Sequence, residues 1–518
     1  MKTPENHNLF VALRAAFPAD LQSTAIETAD SAGTTEPLYY SWADLERGTA
    51  MLANLLASLA LPPASRVAVQ TEKSVEALML YLAVLRAGHV FLPLNTAYQA
   101  AEIEYFIGNA EPAVVVCAGK NFGWVSKIAF VAGTRHVYTL DDDRSGTLLD
   151  RAAFQPTAHT PVQRAADDLA AILYTSGTTG RSKGAMLTHG NLLCNAQVLH
   201  SAWGWQRGDV LLHVLPIFHV HGLFVACHGA LLAGARMIWF SRFEPRAVAA
   251  RLQQATVFMG VPTLYVRLLA EPSFDPHACR HMRLFVSGSA PLLLETFKEF
   301  QQRSGHTILE RYGMSETVML TSNPYRPETA RRGGTVGPAL PGVGVRVRSD
   351  KGMPLATGEI GNIEVKGPNV FKGYWKMPEK TADEFTTDLW FKTGDVGRID
   401  SDGYVTIVGR SKDLIISGGY NVYPAEIEDV INALPGVAES AVVGVPHPDF
   451  GEAVVAVVVA KAGVTLQAAD ITRQLKGQIA NFKVPKLVDV VVDLPRNAMG
   501  KVQKNLLREQ HKGLFRPS

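Results

Sequence analysis

Between about residue 40 and residue 330, short β-branched runs alternate with longer segments of helical spacing. Arg66–Gln70 is followed by a helix-length stretch at Ser74–Gly88, and Ala113–Cys117 is another strand-like run. Val210–Leu215, Met237–Phe240, Val257–Val261 and Arg283–Val286 repeat the pattern, each with a helix-length segment after it. Strands separated by helices cannot pair as hairpins, so this alternation predicts an α/β fold with mostly parallel sheet covered by helices. No period of solenoid type runs through it.

After Gly333 the texture changes. Residues 333–409 are rich in Gly and Pro, with short alternating strands expected at Val343–Arg348, Ile360–Val365 and Tyr404–Val408, which reads as an antiparallel β subdomain. A fresh pattern then begins. A helix is expected at Ala425–Leu434, strands at Ser440–Val445 and Ala453–Val459, a helix at Ile471–Ala480 and a strand at Val488–Val492. The predicted division is a large N-terminal domain, 1–409, of layered α/β sheets plus the β-rich part, and a small α+β C-terminal domain, 410–518. At 518 residues the chain has room for both, since domains average ~150 residues.

The segment YTSGTTGRSKGAML, residues 174–187, follows the apolar run Leu169–Leu173. Its glycines let backbone N–H groups approach a polyanion, its hydroxyls add donors, and Lys183 adds a mobile point charge. Together these predict a phosphate cradle. The spacing is not that of the P-loop, and a flexible linker does not ordinarily lie between two apolar segments.

This string resembles the signature loop of the adenylate-forming superfamily, which includes acyl-CoA synthetases, luciferases and peptide-synthetase adenylation domains. The resemblance implies that a carboxylate is activated with ATP as an acyl-AMP. It assigns Thr175, Ser176, Gly177, Thr178, Thr179, Gly180, Arg181, Ser182 and Lys183 to the nucleotide phosphates. The junction GRSKDLIISGGYNVYP, residues 409–424, resembles the family's hinge, with Lys412 on the hinge position. On this likeness the small domain is mobile and swings between two half-reactions.

Three further segments match. Glu310-Arg-Tyr-Gly-Met-Ser-Glu316-Thr317, after the strand-like Thr307–Leu309, resembles the family's Y-G-x-[ST]-E run. It implies Tyr312 on adenine, Ser315 at the α-phosphate and Glu316 holding Mg²⁺, a hard cation that prefers carboxylate and phosphate oxygens. Lys392-Thr-Gly-Asp395 is expected just before a strand; a bare Thr-Gly-Asp is ordinarily a turn, but in this series it implies Asp395 on the ribose hydroxyls and Arg410 on ribose or phosphate. Leu494-Pro-Arg-Asn-Ala-Met-Gly500-Lys501 resembles the loop whose lysine approaches the reacting carboxylate. On the resemblance Lys501, Glu316 and Lys183 carry the catalysis. Gly418 and Gly419 would line the tunnel for the thiol arm, and no carrier-protein sequence accompanies them, so free coenzyme A is the expected acceptor.

The acyl pocket is expected from the segments around 216–222, 261–267, 287–291 and the ERYG run. Arg311 stands where relatives commonly have a small or uncharged residue, and Arg267 is placed to face the same cavity. Ser289 offers a hydroxyl, and His219 is assigned to the pocket wall. Two arginines make poor walls for a fatty tail and good clamps for a second carboxylate. This combination, with TSNPY and GTVGPALPGV after it, resembles malonyl-CoA synthetases, and methylmalonate differs from malonate by one methyl. The alternatives are internal salt bridges from the arginines to Glu310 or Glu316 with a monocarboxylic aryl or medium-chain substrate, or a non-catalytic nucleotide-binding relative. His221 is read as structural, because His-x-His lacks a third ligand at metal spacing.

Composition excludes other classes. A formal charge of +2 gives no ground for a nucleic-acid partner. Charge-free apolar stretches such as Ala453–Ala460 fall short of the ~20 residues of a membrane span. Cys117, Cys194, Cys227 and Cys279 have neither metal nor disulfide spacing, and Glu5 precedes a short apolar stretch with no secretory cleavage site; a cytoplasmic protein with free thiols is expected. Oligomeric state leaves no trace in the sequence.

Overall fold

The structure, a computed structural model, describes residues 6–29, 36–175, 182–417, 420–476 and 478–515. The β–α alternation builds two sheets. One has eight strands, in the order Val318–Ser322, Leu309–Met314, Leu284–Ser287, Val257–Gly260, Val210–His213, Arg236–Phe240, Thr24–Ala29 and Tyr39–Ser41. Its six inner strands run parallel and only its two edges pair antiparallel. The other has six strands, from His136–Thr139 through Val114–Cys117, Arg66–Gln70, Val90–Pro93 and Leu169–Thr175 to Lys183–Thr188. It too is parallel except for the final hairpin. Inner strands such as VVVC and VFLP are buried at every position, as continuous apolar runs must be when both sheet faces are covered.

The helix Val75–Arg86 is buried all round and packs within the main core. Its Tyr81 ring lies 4.9 Å from Phe91 of the six-stranded sheet and 5.9 Å from Phe224. The two charges this buries are paired: Arg86 bonds Glu46 at 2.9 Å, and Glu76 accepts from Tyr40 at 2.6 Å. Ser74 caps the first turn by accepting from the Ala77 N–H.

The Gly/Pro-rich part forms a four-stranded antiparallel sheet, Gly344–Arg348, Gly361–Lys366, Phe391–Ile399 and Val405–Arg410, and shares the main core through Ile363, Val365, Phe391 and Val405. Beyond Arg410 the chain buries two apolar clusters of its own on opposite faces of a five-stranded sheet. Val442 and Val454 face one way with Ile427 and Ile471; Val443 and Val455 face the other with Leu494 and Leu507.

Several expectations need correction. Lys392–Asp395 does not precede a strand but lies inside Phe391–Ile399, where the ladder shifts register on both sides. Likewise the strand expected at Thr307–Leu309 lies further on, at Leu309–Met314, and takes in Glu310–Met314. The helix expected to reach Ala480 ends at Leu475, two residues before Gly477. After Val210–His213 the helical stretch opens as a π-helix, His221–Cys227, running into His228–Ala233. Among the described residues no helix is long and apolar enough to cross a membrane, and all four cysteines are free.

Candidate active site

The expected phosphate loop joins two antiparallel strands whose last rung pairs Thr175 with Lys183. Ser176, Gly177, Thr178, Thr179, Gly180 and Arg181 lie outside the described residues. The flanks are fixed: the Tyr105 hydroxyl donates to the Ser182 carbonyl at 2.7 Å, and Ala185 bridges to Tyr374. That bridge brings the segment 372–375 beside Lys183. The Lys183 ammonium lies 4.3 Å over the Tyr374 ring and 3.2 Å from Glu384 Oε1.

The strand Leu309–Met314 turns back through Ser315–Thr317 into Val318–Ser322, and this turn carries Glu316 inward to 5% exposure. Ser315 is half-buried on the same turn. Tyr374 donates to Glu316 Oε1 at 2.9 Å. Burial raises the carboxyl's pKa, against that hydrogen bond and the fields of Arg410 and Lys183. Two residues back along the strand from Met314, Tyr312 donates to Asp395 Oδ2, while Arg410 Nε reaches Asp395 Oδ1 at 2.7 Å. Asp395 and Arg410 are also direct cross-strand partners, so sheet register alone aligns them. Among the described residues no group of three or more potential ligands is gathered for a metal ion. A single buried carboxylate suits Mg²⁺, which takes one or two carboxylates and completes its octahedron with phosphate and water oxygens.

Arg311 is buried at 3% exposure, and its Nε and Nη2 have no hydrogen-bond partner among the described residues. It forms no ion pair with Glu310 or Glu316, so the internal salt bridge is not what holds it. Burial pulls its pKa down to about 9, which leaves it charged at neutral pH. Its guanidinium fits only because residue 288 is glycine: a Cβ there would stand 2.5 Å from Arg311 Cζ and Nη1. Next door Ser289 has a left-handed backbone (φ 74°) and its hydroxyl lies 3.3 Å from His221 Nδ1. His221, read as structural, is fully buried, and its Nε2 has no hydrogen-bond partner among the described residues.

His219 Nδ1 accepts the His221 N–H at 3.2 Å, and burial, then Arg311, pull its pKa down to about 4. The ring is therefore neutral with its proton on Nε2. Arg267 lies one turn beyond Thr263 on the helix Pro262–Leu269, exposed, with its guanidinium 4.9 Å over Phe243.

The C-terminal loop enters the same cleft. Met499 is buried in the main core, and Gly500, at φ 71°, passes so close to Thr263 that a Cβ would stand 2.7 Å from its hydroxyl. Asn497 Oδ1 accepts the N–H groups of Met499 and Lys501, and Arg496 donates to the Gly500 carbonyl at 2.9 Å while pairing with Glu439. This brace leaves Lys501 solvent-accessible in the cleft, its pKa lowered by the surrounding protein and then by Arg410, with Asp395 and Asp413 opposing. Lys412 sits between two ion pairs, Arg410–Asp395 on one side and Asp413–Arg508 at 2.5 Å on the other. Burial, with Arg410, Lys501 and Arg508 adding to it, pulls its pKa down to about 8. Gly418 and Gly419 lie outside the described residues.

Sequence reasoning missed Tyr374 and Glu384, and it placed Gly288 and Thr263 in the pocket segments without giving either a role. Only Gly288, inside Ser-Gly-Ser, carries a local signal; the others act through contacts made by distant parts of the chain.

A family model described as AMP-binding enzyme matches residues 22–375, and one described as AMP-binding enzyme C-terminal domain matches 426–501. A malonate–CoA ligase of Arabidopsis thaliana is 34% identical over 477 residues, covering 86% of this chain and 78% of that protein. A feruloyl-CoA synthase of Amycolatopsis is 35% identical over 472 residues, covering 91% and 94%. The ATP-bound crystal structure of MatB from Rhodopseudomonas palustris, at 54% identity, superposes with a TM-score of 0.95 over 99% of this chain and 100% of that one. The apo crystal structure of MatB, at the same identity and coverage, gives 0.83.

Proposed function

The chain belongs to the AMP-binding enzyme family, and we propose that within it the protein is a malonyl-CoA synthetase. Malonate, ATP and CoA give malonyl-CoA, AMP and pyrophosphate through malonyl-AMP. The observation that carries the substrate is Arg311: a buried guanidinium with two unpartnered nitrogens, Nε and Nη2, is costly unless a ligand supplies an anion. A second carboxylate, one methylene away from the reacting one, supplies it bidentately.

In the first half-reaction one malonate carboxylate attacks the α-phosphorus and pyrophosphate leaves. The loop from Thr175 to Lys183 holds the β- and γ-phosphates. Tyr312 stacks on adenine, Ser315 touches the α-phosphate, and Asp395 accepts the ribose hydroxyls with lone pairs its Tyr312 and Arg410 contacts leave free. Glu316 would hold Mg²⁺, whose charge offsets that of the phosphates. Lys501 approaches the reacting oxygens, and the His219 Nε2–H is a donor for the carbonyl or phosphate oxygen beside it. Ser289 and His221 complete the polar wall around Arg311.

The domain 410–518 then turns about Lys412, withdraws Lys501 and presents Gly418–Gly419 to the CoA arm. The thiol attacks malonyl-AMP and AMP leaves. The better match to the ATP-bound than to the apo crystal structure of one relative supports a difference in conformation between those two forms. Four free cysteines suit a reducing, cytoplasmic setting.

The likeness to a feruloyl-CoA synthase favours a monocarboxylic aryl acid as the second reading. AMP and thioester formation by the purified protein, with ATP, Mg²⁺ and CoA, separates them. Malonate, with methylmalonate at most a modest rival, should be turned over far better than propionate or ferulate. Equal or better turnover of ferulate or propionate sinks the dicarboxylate reading.

A further inference from the structure

Glu384 is a carboxylate beside the phosphate lysine that the mechanism leaves unused. It directly follows the helix Pro378–Asp383, and its backbone carbonyl accepts from the Lys392 N–H at 2.8 Å. Its side chain receives two ammonium groups, Lys183 at 3.2 Å and Lys380 at 3.1 Å. The Lys183 and Glu384 side chains are only 20% and 23% exposed, so water screens this pair less than a surface pair. One aromatic ring separates it from Glu316, since Lys183 lies over the Tyr374 ring and the Tyr374 hydroxyl bonds Glu316.

We propose that Glu384 is a positioning residue, the resting counter-ion of Lys183. It holds the ammonium over Tyr374 while the triphosphate is absent, competes with the β- and γ-phosphates for it, and takes it back as pyrophosphate departs. The inference rests on reading Lys183 as the phosphate lysine. Without Glu384 the half-buried ammonium of the empty site would lack its partner. With it, a fixed negative charge stays beside the arriving nucleotide and weakens ATP and pyrophosphate alike. Lys380, the more exposed of the two lysines, keeps Glu384 paired when Lys183 moves. The carboxylate therefore sets how easily product leaves.

Glu384→Gln removes the charge at nearly constant shape. The KM for ATP and the inhibition constant of pyrophosphate should fall together by about three- to tenfold, the size of one partly screened charge interaction. The KM values for malonate and CoA should not move. An unchanged or raised KM for ATP in a variant with the parent's melting temperature overturns the proposal, and Glu384→Ala provides the same reading should the glutamine side chain fold poorly. Lys183→Met separates the two layers. A raised KM for ATP there, with no effect of Glu384→Gln, rejects the counter-ion role alone; no effect of Lys183→Met rejects the phosphate assignment beneath it.

Discussion

The substitution Gly288→Ala tests the reading of Arg311 without touching any charged group. The new methyl carbon would stand 2.5 Å from the guanidinium carbon and Nη1 and 2.7 Å from Nε. Ordinary carbon contacts begin near 3.4–4 Å, so the guanidinium must retreat by about 1 Å. A displacement of that size costs a positioned group up to ~10²-fold in rate, against ~3–5 kcal/mol for breaking a buried pair outright. We therefore expect kcat/KM for malonate to fall about 30- to 100-fold, or ~2–3 kcal/mol at 1.36 kcal/mol per decade. Propionate, which has no distal carboxylate, should change by less than about threefold. The assay is initial AMP release with the two acids in parallel, so the ratio reports the clamp whatever happens to ATP binding. Overpacking also costs ~1–3 kcal/mol of stability, and urea melts measure that loss separately. A malonate-to-propionate ratio within twofold of the parent's would refute the reasoning, because the guanidinium would then not be reading the second carboxylate.

Lys501→Ala should slow ATP-dependent AMP formation by ~10²–10³-fold, while CoA still captures supplied malonyl-AMP; coupled and single half-reaction assays distinguish these. Tyr374→Phe removes the hydrogen bond to the buried Glu316 carboxylate, a charged-group bond of ~1.5–3 kcal/mol, and should raise the Mg²⁺ needed for half-maximal rate about tenfold or more. Burial pushes the Glu310 pKa from 4.5 up to about 8, so between those values the folded protein keeps a proton the unfolded chain has lost. Stability should therefore fall as pH rises through that window, by at most ~1.4 kcal/mol per pH unit; Glu310→Gln should flatten the slope in pH-dependent urea melts, and a slope of the opposite sign from this residue would contradict the assignment.

The sheets were legible because strands such as Val114–Cys117 are apolar at every position, a pattern a covered parallel strand requires. Strand segments bearing chemistry were not. Lys392–Asp395 and Glu310–Met314 carry polar and glycine residues that mimic turns, and only pairing with neighbouring strands makes them extended. Arg311 was singled out because relatives commonly carry a small or uncharged residue there, yet the glycine that admits it was given no role, since the crowding arises only when residue 288 meets the strand Leu309–Met314. Arg267 sits on the helix turn after Thr263, but its side chain stacks on Phe243, a choice that spacing does not encode. Glu384 left no local trace at all; its partner Lys183 is 201 residues away.

The pair Asp395–Arg410 is the final rung of its ladder, and the chain begins to turn only one or two residues later. Asp395 belongs to a sheet that shares the main core, and register alone pairs Arg410 with it. Lys501 stands within electrostatic reach of that pair, but a loop braced by Asn497 and Arg496 holds it there. On the proposed turn about Lys412, that loop would leave while the rung stayed. The nucleoside would keep its seat as the group facing it is exchanged.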